Sequence, residues 1–153
     1  MSDHIVNHAD FTLERTYDAP PAKVYRAFAD PEAKAQWFGS PEGWVEEEVS
    51  IDFRVGGREV SAGGPAGGPV HRYEATYQDI LPNERIISTY SMFMDGTLTS
   101  VSVSAIEFVP DGDGTRLVLT EHGAYLDGED SAAGREHGTG ELLDALGTAL
   151  KNM

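Results

Sequence analysis

Residues able to do chemistry are few in this chain, and their spacing narrows the options quickly. Cysteine is absent, which excludes disulfides, thiolate metal sites and cysteine nucleophiles. The histidines are His4, His8, His71, His122 and His137. His4 and His8 stand four apart, a spacing that suits a metal on a helix, but they lie in a polar stretch with no third ligand near in sequence. No metal site and no cofactor are expected. His122 and His137 flank the start of a C-terminal helix and could meet as an acid–base pair; packed or surface histidines are the other reading. Ser100, Ser102 and Ser104 alternate and read as a solvent-facing strand surface. No nucleophile elbow is present, so a hydrolase has no support, and no catalytic residue is assigned. The glycine-rich run 63–69 lacks the lysine of a phosphate loop and leads into a strand. It reads as a flexible cover over a cavity mouth or as a plain hairpin connection.

Inward-facing polar groups carry more information. Arg15, Glu47, Tyr73, Tyr77 and Glu121 fall in phase with apolar neighbours on strand-like stretches. Buried charges must be paired. Either Arg15 forms an internal ion pair with Glu47 or Glu121, or some of these groups orient a bound ligand. Aromatic residues Trp37, Phe38, Trp44, Phe93 and Tyr125 belong mostly to a core, with one or two at an opening.

The elements that must position these groups follow from periodicity. Phe11, Leu13, Arg15 and Tyr17 alternate along a first strand. Pro20-Pro21 opens a helix with Val24, Tyr25 and Phe28 on one side, and Asp30-Pro31 opens a second, ending near Trp37-Phe38-Gly39. From Trp44 the period is two. Val45, Glu47, Val49, Ile51 and Phe53 share one phase, and about six strands follow one another. Asp95-Gly96 is a hairpin signal. Between Thr97 and Val109 the apolar phase changes, from Val101 and Val103 to Ile106 and Phe108, which implies a bulge. Residues 131–151 form one long helix whose apolar stripe is Leu142, Leu143, Leu146 and Leu150. This order gives an α+β fold: an antiparallel sheet of about six or seven strands packed on a long C-terminal helix, with two short helices after the first strand.

At 153 residues, one domain covering 1–153 is expected. The formal net charge of −15 disfavours nucleic acid and anionic lipid. The N-terminal residues lack a secretory pattern and no run is apolar enough to span a bilayer, so a cytoplasmic location and no membrane partner are expected.

Several short sequences occur in a characteristic order: Asp18-Ala19-Pro20-Pro21, Trp37-Phe38-Gly39, Asp52-Phe53-Arg54-Val55-Gly56-Gly57, Leu81-Pro82-Asn83-Glu84-Arg85-Ile86, Gly114-Thr115-Arg116-Leu117, and Arg135 with Gly138 and Leu142-Leu143-Asp144. From about Phe11 to Leu150 the chain resembles the activator of heat-shock protein 90 ATPase homologue-like family, of the START-like, helix-grip superfamily. That resemblance implies a curved sheet gripping the C-terminal helix, often around an apolar cavity. It implies no single function, since some members assist the chaperone and superfamily relatives include cyclases. Two departures stand out. The other domain of the eukaryotic co-chaperone has no counterpart in these residues, and Thr139 stands where the family often has tryptophan. A small residue there leaves space between helix and sheet, to be taken by a ligand or filled by Tyr73, Tyr77 or Trp44.

The expected function is binding of a small apolar or amphipathic molecule, with Arg15, Trp37, Phe38, Glu47, Tyr73, Tyr77, Glu121, Thr139, Leu142, Leu143 and Leu146 around it. A cyclase- or dehydratase-like enzyme and a module that meets a chaperone or a second copy of itself are the alternatives.

Overall fold

The computed structural model describes residues 4–39, 41–128 and 130–153. Strand β1 (Val6–Tyr17) leads to helices α1 (Pro21–Ala29) and α2 (Pro31–Lys34). Six strands follow: β2 (Trp44–Ile51), β3 (Arg58–Pro65), β4 (His71–Leu81), β5 (Arg85–Met94), β6 (Thr97–Asp111) and β7 (Gly114–Leu126). Helix α3 (Ala132–Leu150) closes the chain. The strands form one curved antiparallel sheet in the order β1-β7-β6-β5-β4-β3-β2. The first strand therefore returns to pair with the last, and β2 is left as the opposite edge.

Local chemistry explains the corners. Pro21 sits in the first turn of α1, and the Asp30 carboxylate accepts from the Glu32 amide at 3.1 Å to cap α2. Ser131 caps α3 by accepting from the Gly134 amide at 3.1 Å. Asp95 and Gly96 both take positive φ, 49° and 81°, as the expected two-residue hairpin requires. Val24, Ala27 and Phe28 of α1 join Leu143, Leu146 and Leu150 of α3 in one core against Phe11, Tyr17, Phe108, Leu117 and Leu119 of the sheet. The helix face is therefore the one its leucines mark, with Leu142 at its half-buried margin.

Three sequence expectations fail here. The serines of β6 point inward: Ser100, Ser102 and Ser104 are buried, while Val101 and Val103 are 44% and 43% exposed. No phase change lies between Val103 and Ile106. The bulge sits earlier, at Thr99, where Met92 pairs with Ser100 but Phe93 pairs with Leu98. Second, β2 is an edge strand whose Val45 and Val49 are exposed, and its register shifts between Glu46 and Glu48. Glu47, at that bulge, faces solvent. Third, β3 runs on to Pro65, so Gly63 and Gly64 are buried strand residues paired with Glu46 and Val45, and the plain hairpin connection holds only for residues 66–70. A Cβ on Gly64 would stand 2.0 Å from the Pro69 carbonyl oxygen, so this glycine serves close backbone approach rather than a loose cover.

Candidate functional site

Between the inner face of the sheet, α3 and the segment after α2 lies a cavity of about 270 Å³. Its floor comes from alternate residues of the strands: Glu59 and Ser61 of β3, Tyr73 and Tyr77 of β4, Ile86, Ser88 and Tyr90 of β5, Ser104 and Ile106 of β6, Leu119 and Glu121 of β7. The roof comes from Arg135, Thr139, Leu142 and Leu143 of α3. Trp37, Phe38, Pro41 and Trp44 form one wall, where the Trp44 ring stacks on His71 at 4.9 Å between centroids.

Two buried carboxylates anchor the polar groups. Glu59 Oε1 accepts from Lys34 Nζ and from the Tyr77 hydroxyl, each at 2.6 Å. The Lys34 ammonium also lies 4.5 Å from the centre of the Phe38 ring. Burial lowers the lysine's pKa, and the Glu59 charge opposes that shift. Glu121 Oε1 accepts from the Tyr90 hydroxyl at 2.5 Å. That same hydroxyl accepts from Arg135 Nη1 at 2.9 Å, and Arg135 Nη2 donates to Ser100 Oγ at 2.9 Å and to Asp130. Burial raises the Glu121 carboxyl above its ordinary range, against the hydrogen bond from Tyr90 and the charge of Arg135. The Tyr73 phenol is raised well above its usual value, first by burial and then by the Glu59 charge. Its hydroxyl finds no hydrogen-bond partner among the described residues.

The structure brings eight of the sequence-derived residues to this cavity: Trp37, Phe38, Tyr73, Tyr77, Glu121, Thr139, Leu142 and Leu143. Three stand elsewhere. Leu146 is fully buried in the core beyond it. Glu47 lies on the exposed edge. Arg15 is in phase with Leu13 and Tyr17, as expected, but its partner is Asp144 of α3 at 2.8 Å, not a strand carboxylate. The pair is partly solvated, with side-chain exposures of 30% and 68%. The reason is position: β1 is the outer strand beside α3, so a long side chain reaches over the helix flank. The two helix-flanking histidines do not meet. His122 faces Asp10 at 3.6 Å and His137 faces Glu141 at 2.9 Å, all four side chains exposed. His4 is paired with Asp127 at 3.3 Å. Among the described residues no three His, Cys, Asp or Glu side chains cluster as metal ligands.

Sequence reasoning missed Lys34, Glu59, Tyr90 and Arg135 as site residues. Tyr90 had a signal, since it shares the inward phase of Ile86 and Ser88. Glu59 and Lys34 had none: β3 is buried on both faces over Glu59-Val60, and Lys34 sits in a four-residue helix too short to show a stripe.

Comparison with known proteins agrees with this architecture. The family described as "Activator of Hsp90 ATPase homolog 1-like protein" matches residues 18–151. The chain belongs to that family. Among solved structures, the Mll3558 protein from Rhizobium loti is 47% identical, with 95% of this chain and 99% of that one covered and a TM-score of 0.88. A putative uncharacterized protein from Rhizobium leguminosarum is 38% identical, with 98% and 99% covered and a TM-score of 0.92. Protein CV1439 from Chromobacterium violaceum is 30% identical, with 92% and 96% covered and a TM-score of 0.76. No curated protein matches the chain. The family accommodates ligand binding or association with a chaperone in general terms. Among the described residues no helix is long and apolar enough to cross a membrane.

Proposed function

We propose that this protein binds a small amphipathic molecule in the cavity between the sheet and α3. The observation that carries this reading is space retained at Thr139. Tyr73, Tyr77 and Trp44 line the cavity without filling it. The cavity is partly open, so its apolar and aromatic lining meets water, and each Å² of apolar surface left wet costs roughly 25 cal/mol. An occupant removes that cost, and polar groups converging on an otherwise apolar, aromatic lining suit a molecule with one polar end.

Titration with N-phenyl-1-naphthylamine, which fluoresces in apolar surroundings, tests the reading. The parent should take up the dye, and Thr139→Trp, which fills the space, should lose uptake while keeping its melting temperature or gaining. Absence of uptake by the parent, with marked destabilisation of Thr139→Trp, would mean that the space is closed in solution.

The family description supports a second reading, association with a chaperone in a cytoplasmic setting. Val101 and Val103 are exposed on the sheet face opposite the cavity and would suit a protein contact there. A cyclase- or dehydratase-like activity would draw on Glu121 with Tyr90 and Arg135, a buried acid–base cluster with a cationic partner.

A further inference from the structure

Two cations, Lys34 and Arg135, and two carboxylates, Glu59 and Glu121, line the cavity. Both cations are committed to the protein. Lys34 is spent on Glu59 and the Phe38 ring. Arg135 is spent on Tyr90, Ser100 and Asp130, with its guanidinium carbon 5.4 and 5.6 Å from the Tyr90 and Tyr125 ring centres. Each cation is already paired with a carboxylate, which weakens its pull on an anionic ligand.

The acceptor side is left open. Glu59 takes both of its hydrogen bonds on Oε1, and no described donor reaches Oε2, although the side chain is only 6% exposed. Oε2 is not among the fully buried unpaired atoms, and with Glu59 in the cavity lining it is open to a ligand's donor. Tyr73 lies within the fields of both Glu59 and Glu121, and its hydroxyl is also free to accept. Aromatic rings surround this acceptor set. Phe38 and Tyr73 are 5.6 Å apart, Tyr73 and Tyr90 5.1 Å, and Phe53 and Tyr77 4.9 Å. Carboxylate oxygens inside a ring of aromatic faces make an environment that attracts an ammonium group through both charge and ring quadrupoles. The net charge of −15 adds attraction at longer range.

We infer, building on the ligand-binding reading above, that the preferred occupant is a small organic cation: a protonated amine on an apolar body, its ammonium donating to Glu59 Oε2 and the Tyr73 hydroxyl while the body lies under Thr139 and Leu142.

Three molecules of one shape and different charge test this: 2-phenylethylamine, 2-phenylethanol and phenylacetate, measured by calorimetry at about pH 7, where the amine is protonated and the acid ionised. The amine should bind at least about tenfold more tightly than either of the others. Glu59→Gln should erase that preference, the variant binding the amine no more tightly than it binds the alcohol. Because Glu59→Gln strands Lys34, the double variant Lys34→Met/Glu59→Gln serves where the single one does not fold, with the same expected loss of preference. An alcohol or carboxylate that binds as well as the amine overturns the cation assignment and leaves cavity binding standing. Uptake of N-phenyl-1-naphthylamine with no binding of any of the three also overturns it. Failure of all four molecules overturns both readings.

Discussion

Lys34 and Glu59 form the least exposed ion pair among the described residues, with side chains 11% and 6% exposed. Truncating one partner of such a pair leaves a bare buried charge and typically costs about 3–5 kcal/mol. Lys34→Ala should shift the urea midpoint accordingly, and Lys34→Met/Glu59→Gln should recover much of the loss. An unchanged midpoint for Lys34→Ala would mean that water reaches Glu59. By contrast Arg15→Ala should cost about 1 kcal/mol or less, since its partner Asp144 is mostly solvated. Glu121 adds a pH dependence. Burial raises its folded-state pKa above the ordinary 4.5, so across that interval the folded chain keeps a proton that the unfolded chain has released. Stability contributed by this group therefore falls as pH rises through the window. Glu121→Gln has no proton to lose, so its stability relative to the parent should improve between about pH 4 and about pH 7. A flat difference between urea midpoints at those two values would contradict the assignment. The alternation of β7 marked Glu121 as inward from sequence alone, whereas the pairing of Arg15 with α3 depended on how a helix lies over an edge strand, which no strand period encodes.

At the scale of elements, strong periodicity was read correctly and mixed surfaces were not. Leu143, Leu146 and Leu150 mark the buried face of α3 because apolar residues recur there at helical spacing. Leu146 is fully buried, so Leu146→Asp should abolish cooperative unfolding in a thermal melt, and a melting temperature near the parent's would place the residue at the surface. β6 inverts the usual expectation: its serines are inside and its valines outside. Polarity alone therefore misassigns its faces. The inner face here meets Arg135 at Ser100 and the cavity at Ser104, so hydroxyls suit it, and the bulge at Thr99 sets the register. Val103→Thr should change stability by no more than about 0.5 kcal/mol, as for other surface sites. Ser102→Asp, which buries a charge beside Tyr125, should lower the urea midpoint strongly. The reverse pattern would restore the phase read from the sequence.

At the scale of the molecule, the order of strands and helices was legible because turn signals and periods agreed along the chain, and the family resemblance supplied the curvature and grip that periodicity cannot. The cavity was legible only as missing volume at Thr139. Its polar furnishing was not, because Lys34, Glu59, Tyr90 and Arg135 come from four elements that only the packing of helices on the curved sheet brings together. The central claim is that this volume is open to a small molecule. A titration of ¹⁵N-labelled protein with N-phenyl-1-naphthylamine, followed by amide chemical shifts, tests it most directly. Shifts should concentrate at Phe38, Tyr73, Ser88, Thr139 and Leu142, with Val101 and Val103 on the opposite face unmoved. No shifts at the cavity residues, or shifts confined to Val101 and Val103, would contradict it.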